Sequence, residues 1–206
     1  PQGVSPFALS VYRMLGACLL FWTVSLFLPR EKVAPRDIVL LLFAFVPQFG
    51  AEGVWVSVFT AISAFCNAGF DLFGRFGAYS SLVPYVNNYY VQAVIMFMIM
   101  AGGLGFMVWV ELAEYRKKRR LSLHAKVVLQ FSVIFWVGGA VLLALLEWSN
   151  PRTMGGLSVP GKIMAALFQS VSTRTAGMNT IDLAACSPIS KLLMSVLQFI
   201  GAAPGS

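Results

Sequence analysis

The sequence has few charged residues. Only 11% of its 206 residues are Asp, Glu, Lys or Arg, while 58% are hydrophobic; an ordinary soluble domain is about 25% charged. This balance indicates an integral membrane protein. The net charge of +7 does not predict nucleic-acid binding, because basic residues cluster between two apolar segments, as RKKRR at Arg116–Arg120. A basic loop between membrane spans is typical of the cytoplasmic side.

Residues for catalysis or metal binding are also scarce. The chain has one histidine, His124, and three cysteines, Cys18, Cys66 and Cys186. Their spacing matches no metal site, and an odd number of cysteines in or near apolar segments does not predict a disulfide framework. The sequence shows no nucleophile–base pair, phosphate-binding loop or pair of catalytic carboxylates. It therefore predicts neither an enzyme nor a covalently bound cofactor.

Two stretches share one pattern: AISAFCNAGFDLF at Ala61–Phe73 and LFQSVSTRTAGMNTI at Leu167–Ile181. In each, an apolar run shorter than the ~20 residues of a membrane crossing leads to an Ala-Gly pair and then to polar residues. The pairs Ala68-Gly69 and Ala176-Gly177 lie 108 positions apart, which indicates an internal repeat. A short helix that ends at glycine and continues as a loop is typical of pore loops, which present backbone carbonyls to a dehydrated cation. The same pattern also suits glycines that only end short helices.

The segments FCNAGFDLF and FQSVSTRTAGMNTIDLA resemble the second and third filter loops of the Trk/Ktr/HKT superfamily of cation transporters. The resemblance continues through RRLSLHAKVVL, LLEWSNP and FIGAAPGS and covers roughly residues 45–206. It implies an all-α integral membrane protein of the K⁺-channel-like transporter type, built from helix–pore-loop–helix repeats with re-entrant filter loops. Family members have four such repeats around one pore, and this chain would hold the second and third. Since it begins at Pro1 and stops at Ser206, we interpret it as a fragment.

Four parts are predicted along the chain. Residues 1–37 hold an apolar helix, Leu9–Leu28, and a charged break, Pro29–Asp37. Residues 38–115 form the first helix–pore-loop–helix repeat, 116–124 a cytoplasmic basic linker, and 125–206 a second repeat that is truncated in the gating loop. The pore helices are predicted at Val54–Phe65 and Lys162–Thr173, the filter strands at Cys66–Asp71 and Arg174–Asn179, and the other apolar helices at Ile38–Phe49, Val86–Leu112, Ala125–Glu147 and Ser190–Ile200.

The resemblance implies that K⁺ is held by backbone carbonyls. The implied filter residues are Cys66, Asn67, Ala68, Gly69 and Phe70 in the first loop, and Thr175, Ala176, Gly177 and Met178 in the second. Filter support is expected from Arg174, Asp71, Asn179 and Asp182. Arg174 is either a functional charge beside the cation path or a structural partner of an acid, which is Asp182 or one on a missing repeat. Asp71 and Asp182 either concentrate cations outside the filters or cap their loops.

The last residues are expected to form an intramembrane gate. Glycine and proline break the final apolar helix about 17 Å from its start, in mid-membrane, where irregular backbone must line a cavity or be buried in protein. The gate residues implied by the resemblance are Gly201, Ala202, Ala203, Pro204, Gly205 and Ser206.

The implied function is gated K⁺ uptake by a multi-pass protein of the cell membrane. Two alternatives remain open: a Na⁺-permeable or Na⁺-coupled K⁺ transporter of the same superfamily, and a membrane scaffold or receptor subunit that transports nothing. The implied partners are the first and fourth repeats of the same protein, a second copy in a homodimer, a cytoplasmic nucleotide-binding regulatory subunit and the lipid bilayer. Nucleic acid is not among them.

Overall fold

The computed structural model describes residues 35–76 and 80–203. All of them belong to one contact unit, Val33–Ser206. The sequence-predicted helix Leu9–Leu28, most of the charged break and the gate residues Pro204–Ser206 lie outside the described residues.

The described residues are helical and contain no β-strand, which confirms the all-α prediction for this part of the chain. The α-helices are α1 (Pro35–Phe49), α2 (Ala51–Phe65), α3 (Tyr89–Gly103), α4 (Phe106–Lys118), α5 (Leu123–Glu147), α6 (Val159–Arg174) and α7 (Pro188–Ile200), with 3₁₀ turns at Phe73–Phe76 and Val83–Tyr85. The pore helices α2 and α6 begin three residues earlier than predicted. Arg174 is the last residue of α6 rather than part of an extended strand, so the second loop begins at Thr175.

Polar side chains fix where several helices begin. In each case the side-chain oxygen accepts the backbone N–H of the residue three positions later, which satisfies one of the donors that a helix start leaves unpaired. The capping residues are Asn88 for α3, Ser122 for α5, Ser158 for α6 and Ser187 for α7.

The prediction of one continuous helix over Val86–Leu112 is wrong. α3 stops at Gly103, and α4 leaves it at an angle of 95°. Gly105 has a φ of 78°, which lies outside the helical region and suits glycine. The Trp109 indole N–H donates to the Ala101 carbonyl at 2.7 Å, one of the last carbonyls of α3 and therefore without an intrahelical partner. The glycines here shape a bend as well as permitting close packing.

Length and apolar composition qualify α5 alone, among the described helices, to cross a membrane by itself. Its 25 residues span about 37 Å, against a hydrocarbon core of about 30 Å. α3 and α4 pass the same test only as a bent pair.

The two repeats share a core. Around Phe45, Phe73 and Tyr85, aromatic rings lie 5.3 to 5.6 Å apart, and Phe168 of α6 belongs to the same buried cluster. α3 packs against α6, so the second pore helix rests on the first repeat. A second cluster, which includes Leu143, Met154, Ile181 and Met194, lies among α5, α6, α7 and the loops beside them.

Candidate functional site

Two loops with the same backbone turn follow the two pore helices. φ is 73° at Gly69 and 76° at Gly177, a left-handed conformation that residues with a Cβ adopt only under strain. The glycines lie 108 positions apart, like the repeats that contain them. The internal repeat seen in the sequence therefore extends to the backbone conformation of the loops.

Each loop is folded back onto the end of its own helix by a serine. The Ser63 hydroxyl donates to the Phe70 carbonyl at 2.6 Å, and the Ser63 carbonyl accepts the Ala68 N–H at 2.8 Å. The Ser172 hydroxyl likewise donates to the Met178 carbonyl at 2.6 Å. These bonds determine which way the rest of each loop faces.

The loops also touch each other. The Thr175 hydroxyl donates to the side-chain oxygen of Asn67 at 2.9 Å, and these two residues occupy equivalent positions in the two repeats. A Cβ on Gly69 would overlap the carbonyl oxygen of Ala176. The two turns are therefore adjacent sides of one structure.

Several loop carbonyls accept no hydrogen bond from any residue that the structure describes. Backbone carbonyl oxygens are the ligands that a potassium filter uses. In the described part of the chain, no group of three or more His, Cys, Asp or Glu side chains lies together as a metal site. The carbonyls that accept no hydrogen bond from a described residue include those of Ala68, Gly69, Ala176 and Gly177, whereas those of Phe70 and Met178 accept the serine hydroxyls.

The end of the second loop is braced by both repeats. The Asn179 N–H donates to the Ser81 hydroxyl at 3.2 Å, and the Asn179 carbonyl accepts the Leu82 N–H at 2.9 Å. From α6, the buried Gln169 amide donates to the Thr173 hydroxyl and to the Asn179 side-chain oxygen, at 3.2 and 3.4 Å. The loop that follows the turn at Gly69 therefore holds the turn at Gly177 in place. These two turns, at the Ala-Gly pairs, are called the first and second filter turns after their predicted role.

Arg174 has a partner that the sequence did not indicate. Its Nε and Nη2 atoms donate to the carbonyl oxygen of Gly201 at 2.9 and 2.7 Å, and its guanidinium carbon lies 5.4 Å from the centre of the Phe135 ring. Asp182 instead accepts the backbone N–H of Ala184 at 2.8 Å. The expected pairing of Arg174 with Asp182 is therefore wrong, and the side chain connects the second pore helix to the end of α7.

Gly201 is also the first residue of the sequence-predicted gate. α7 ends at Ile200, and φ at Gly201 is 66°. Its 13 residues span about 20 Å, so an α7 that starts at a membrane surface stops inside the membrane. The Ala203 N–H donates to the Gly103 carbonyl at 3.2 Å. The breaks after α7 and α3 therefore touch.

The two aspartates beyond the filter turns form local caps. The carboxylate of Asp71 accepts the Phe73 N–H at 3.0 Å, two residues ahead, just as that of Asp182 accepts the Ala184 N–H. Asp71 is half-buried and Asp182 exposed. These contacts favour the loop-cap interpretation and leave an electrostatic role as a prediction.

Sequence reasoning missed Glu147, the last residue of α5. Its carboxylate is fully buried and accepts four hydrogen bonds. The donors are Ser190 Oγ at 2.5 Å, Asn150 Nδ2 and Thr153 Oγ1 at 2.7 Å, and Ser187 N at 2.8 Å. One carboxylate therefore joins the end of α5, the next loop and the start of α7. One sequence pattern could have indicated this role. An acid ends an apolar helix, and short polar residues follow it in the next loop and at the start of α7.

Comparison with known proteins agrees with this geometry. The model of a cation transport protein family, TrkH, matches residues 8–206. The potassium/sodium uptake protein NtpJ of Enterococcus hirae is 38% identical over 169 residues, which cover 82% of this chain and 36% of that protein. The Ktr system potassium uptake protein B of Bacillus subtilis is 36% identical over 169 residues, 82% of this chain and 37% of that protein. The chain belongs to the TrkH family.

A rice relative, cation transporter HKT1;1, is 28% identical over 166 residues, 69% of this chain and 29% of that protein. TrkH-family membership makes this chain part of a membrane protein, and the names of these relatives describe transport rather than enzymatic activity. The chain spans roughly a third of the length of the first two relatives. The TrkH match begins upstream of residue 45, where the resemblance of individual motifs starts.

Proposed function

We propose that this chain forms two adjacent sides of a K⁺ path in a TrkH-family transporter of the cell membrane. K⁺ enters the cell through a filter of backbone carbonyls, and the segment after α7 gates it from below. The proposed filter residues are Cys66, Asn67, Ala68, Gly69, Phe70, Thr175, Ala176, Gly177 and Met178.

The contact between the two matching turns carries this proposal. Gly69 and Gly177 share a conformation, Thr175 bonds Asn67 across the repeat, and carbonyls on both turns accept no hydrogen bond from a described residue. A dehydrated cation is stabilised by several such oxygens from adjacent loops. Because the Phe70 and Met178 carbonyls already accept a hydroxyl, the residues before them are the stronger ligands.

The surface of α5 supports membrane insertion. Phe131, Ile134, Val141 and Leu145 are between 52% and 74% exposed, and apolar surface of this kind is unfavourable in water at roughly 25 cal/mol per Å². Contact with lipid removes that cost. The two remaining repeats of the protein cover other exposed surfaces of the fragment.

A groove beside the second filter turn is where the next repeat would pack. It has a volume of about 460 Å³ and lies between the end of α6, the turn and α7. Its lining includes Thr173, Thr175, Gly177, Asn179 and Lys191. A ring of four repeats encloses this surface, as K⁺ conduction requires.

We also infer a homodimer and a cytoplasmic nucleotide-binding regulatory subunit that docks near the basic segment Arg116–Arg120. The names of relatives support a subunit system, since one is a Ktr system potassium uptake protein B. Purification of the full-length protein with its mass measured by light scattering tests the dimer. Co-purification of a nucleotide-binding protein tests the regulatory subunit.

Sodium transport is the second candidate, because the relative from Enterococcus hirae is named as a potassium/sodium uptake protein. The deciding experiment expresses the full-length protein in a strain that lacks K⁺ uptake and measures K⁺ and Na⁺ entry. We expect K⁺ entry that Na⁺ does not drive and barely inhibits. Na⁺ entry of equal size, or K⁺ entry that requires Na⁺, favours the alternative; no entry of either ion favours a scaffold.

A further inference from the structure

Arg174 is a buried cation with no acidic partner among the described residues. The residue is 8% exposed, and its guanidinium makes no ion pair with any residue that the structure describes. Burying a charge is costly unless hydrogen bonds or an opposite charge compensate for it. The bonds it does make therefore account for how the protein accommodates it.

Both of those bonds go to one backbone oxygen. Nε and Nη2 donate to the Gly201 carbonyl, in the first residue after α7. Carbonyls at a helix C-terminus lack intrahelical donors and carry partial negative charge, so a cation there is favourable. The planar guanidinium suits such a two-donor contact, which a lysine ammonium reproduces poorly.

Among the described residues, the segment Gly201–Ala203 makes one further hydrogen bond to another element, from the Ala203 N–H to the Gly103 carbonyl. Beside it is a cavity of about 180 Å³, lined in part by Ser132, Phe135 and Arg174. Few hydrogen bonds from described residues therefore hold the segment, and there is space beside it. The Arg174 side chain makes two of these hydrogen bonds.

We propose that Arg174 is a positioning residue that fastens the Gly201–Ala203 segment to the second pore helix and thereby limits K⁺ flow beneath the second filter turn. This inference rests on the proposed function. It assigns to Arg174 a contact with the gate rather than with the ion. Loss of the contact frees the segment and leaves the filter carbonyls in place.

The test uses the full-length protein with R174Q, R174K and the control K162Q. Lys162 is the other cation of α6 and also donates to a backbone carbonyl, that of Trp148 at 2.8 Å, near the opposite end of the helix. K⁺ flux and K⁺/Na⁺ selectivity are measured in proteoliposomes. We expect R174Q to raise K⁺ flux severalfold with unchanged selectivity, R174K to fall between R174Q and the parent, and K162Q to match the parent.

A second readout does not depend on transport. In a full-length background without other cysteines, A202C is exposed to a cationic methanethiosulfonate reagent from the cytoplasmic side. R174Q should accelerate its modification severalfold, and R174K should do so to a smaller extent. If the parent moves no K⁺, the proposed function fails, whereas the modification rate still tests the fastening.

Three results overturn the inference. If K⁺ flux and the modification rate in R174Q equal those of the parent, Arg174 does not hold the segment in place. If R174K matches the parent in K⁺ flux while R174Q has a higher flux, the positive charge alone limits K⁺ flow. Loss of selectivity in R174Q places the effect on the filter instead. If R174Q does not insert, R174K decides between the first of these results and the expected one.

Discussion

The two filter turns have the same backbone but different surroundings. Both contain Ala-Gly with a left-handed glycine, yet a Cβ on Gly69 would overlap the carbonyl of Ala176, while a Cβ on Gly177 meets no described atom within 4 Å. Phe70 is 61% exposed, whereas its counterpart Met178 is fully buried. The paired positions that differ are Cys66 and Arg174, Asn67 and Thr175, Phe70 and Met178, and Asp71 and Asn179. Each turn therefore keeps its glycine for a partly different reason.

The largest expected difference in ion transport separates the two glycines. Gly177→Ala introduces left-handed strain of about 1–2 kcal/mol, whereas Gly69→Ala adds an overlap with a backbone oxygen that must move. We expect selective K⁺ uptake in G69A to be at least about tenfold lower than in G177A, a difference of ~1.4 kcal/mol or more. Uptake of K⁺ and Na⁺ by the full-length variants measures it.

The control for the first turn is C66N, which leaves both glycines unchanged. It should retain most of the parent's uptake. Equal losses in G69A and G177A would mean that the contact between the turns has no importance for the filter.

The second prediction concerns the support that the buried Glu147 carboxylate gives to the second repeat. Replacing Glu147 with alanine leaves four donors without a charged acceptor, so E147A should lower the free energy of unfolding by on the order of 3 kcal/mol. E147Q should have a smaller effect, because an amide oxygen still accepts hydrogen bonds. Thermal midpoints of the purified full-length protein in detergent measure the order parent, E147Q, E147A.

D182N serves as its control, since the exposed Asp182 carboxylate accepts one backbone N–H nearby. Its midpoint should be close to that of the parent. A midpoint for E147A that matches D182N would contradict a structural role for the buried carboxylate.

The smallest expected effect comes from the bond between the turns. Thr175→Val removes the donor to Asn67, a change of about 1 kcal/mol, and should reduce K⁺/Na⁺ selectivity by about fivefold. Ser57→Ala is the control, because the Ser57 hydroxyl donates to the Gly53 carbonyl of its own helix at 2.6 Å. Competition of Na⁺ with K⁺ uptake measures the selectivity of the two variants. Equal selectivity in both would show that the bond between Thr175 and Asn67 does not contribute to ion selection.

Local chemistry made much of the fold predictable. Apolar runs bounded by glycine, proline or polar residues located most helix ends within three residues, because such breaks act on their immediate neighbours. The two Ala-Gly pairs likewise indicated where each short helix gives way to a loop. The bend between α3 and α4 was not, because it depends on Gly105 together with the Trp109 bond to Ala101.

Long-range partners escaped prediction for a different reason. Arg174 bonds a backbone carbonyl 27 positions away, and a carbonyl has no sequence signature, so an acid was the natural expectation. Met178 illustrates the same limit. The role implied for it concerns only its backbone carbonyl, but its side chain is fully buried, where a larger residue typically costs about 1–3 kcal/mol.

The bond between Thr175 and Asn67 joins equivalent positions that one gene encodes separately. In a pore assembled from identical subunits, a single codon change alters every side simultaneously. Here a codon change alters one side and leaves its neighbour as a fixed reference. In the proposed K⁺ path, mutation can therefore adjust the opening in small, asymmetric increments, and divergence between the copies supplies a gradual evolutionary route from one ion preference to another.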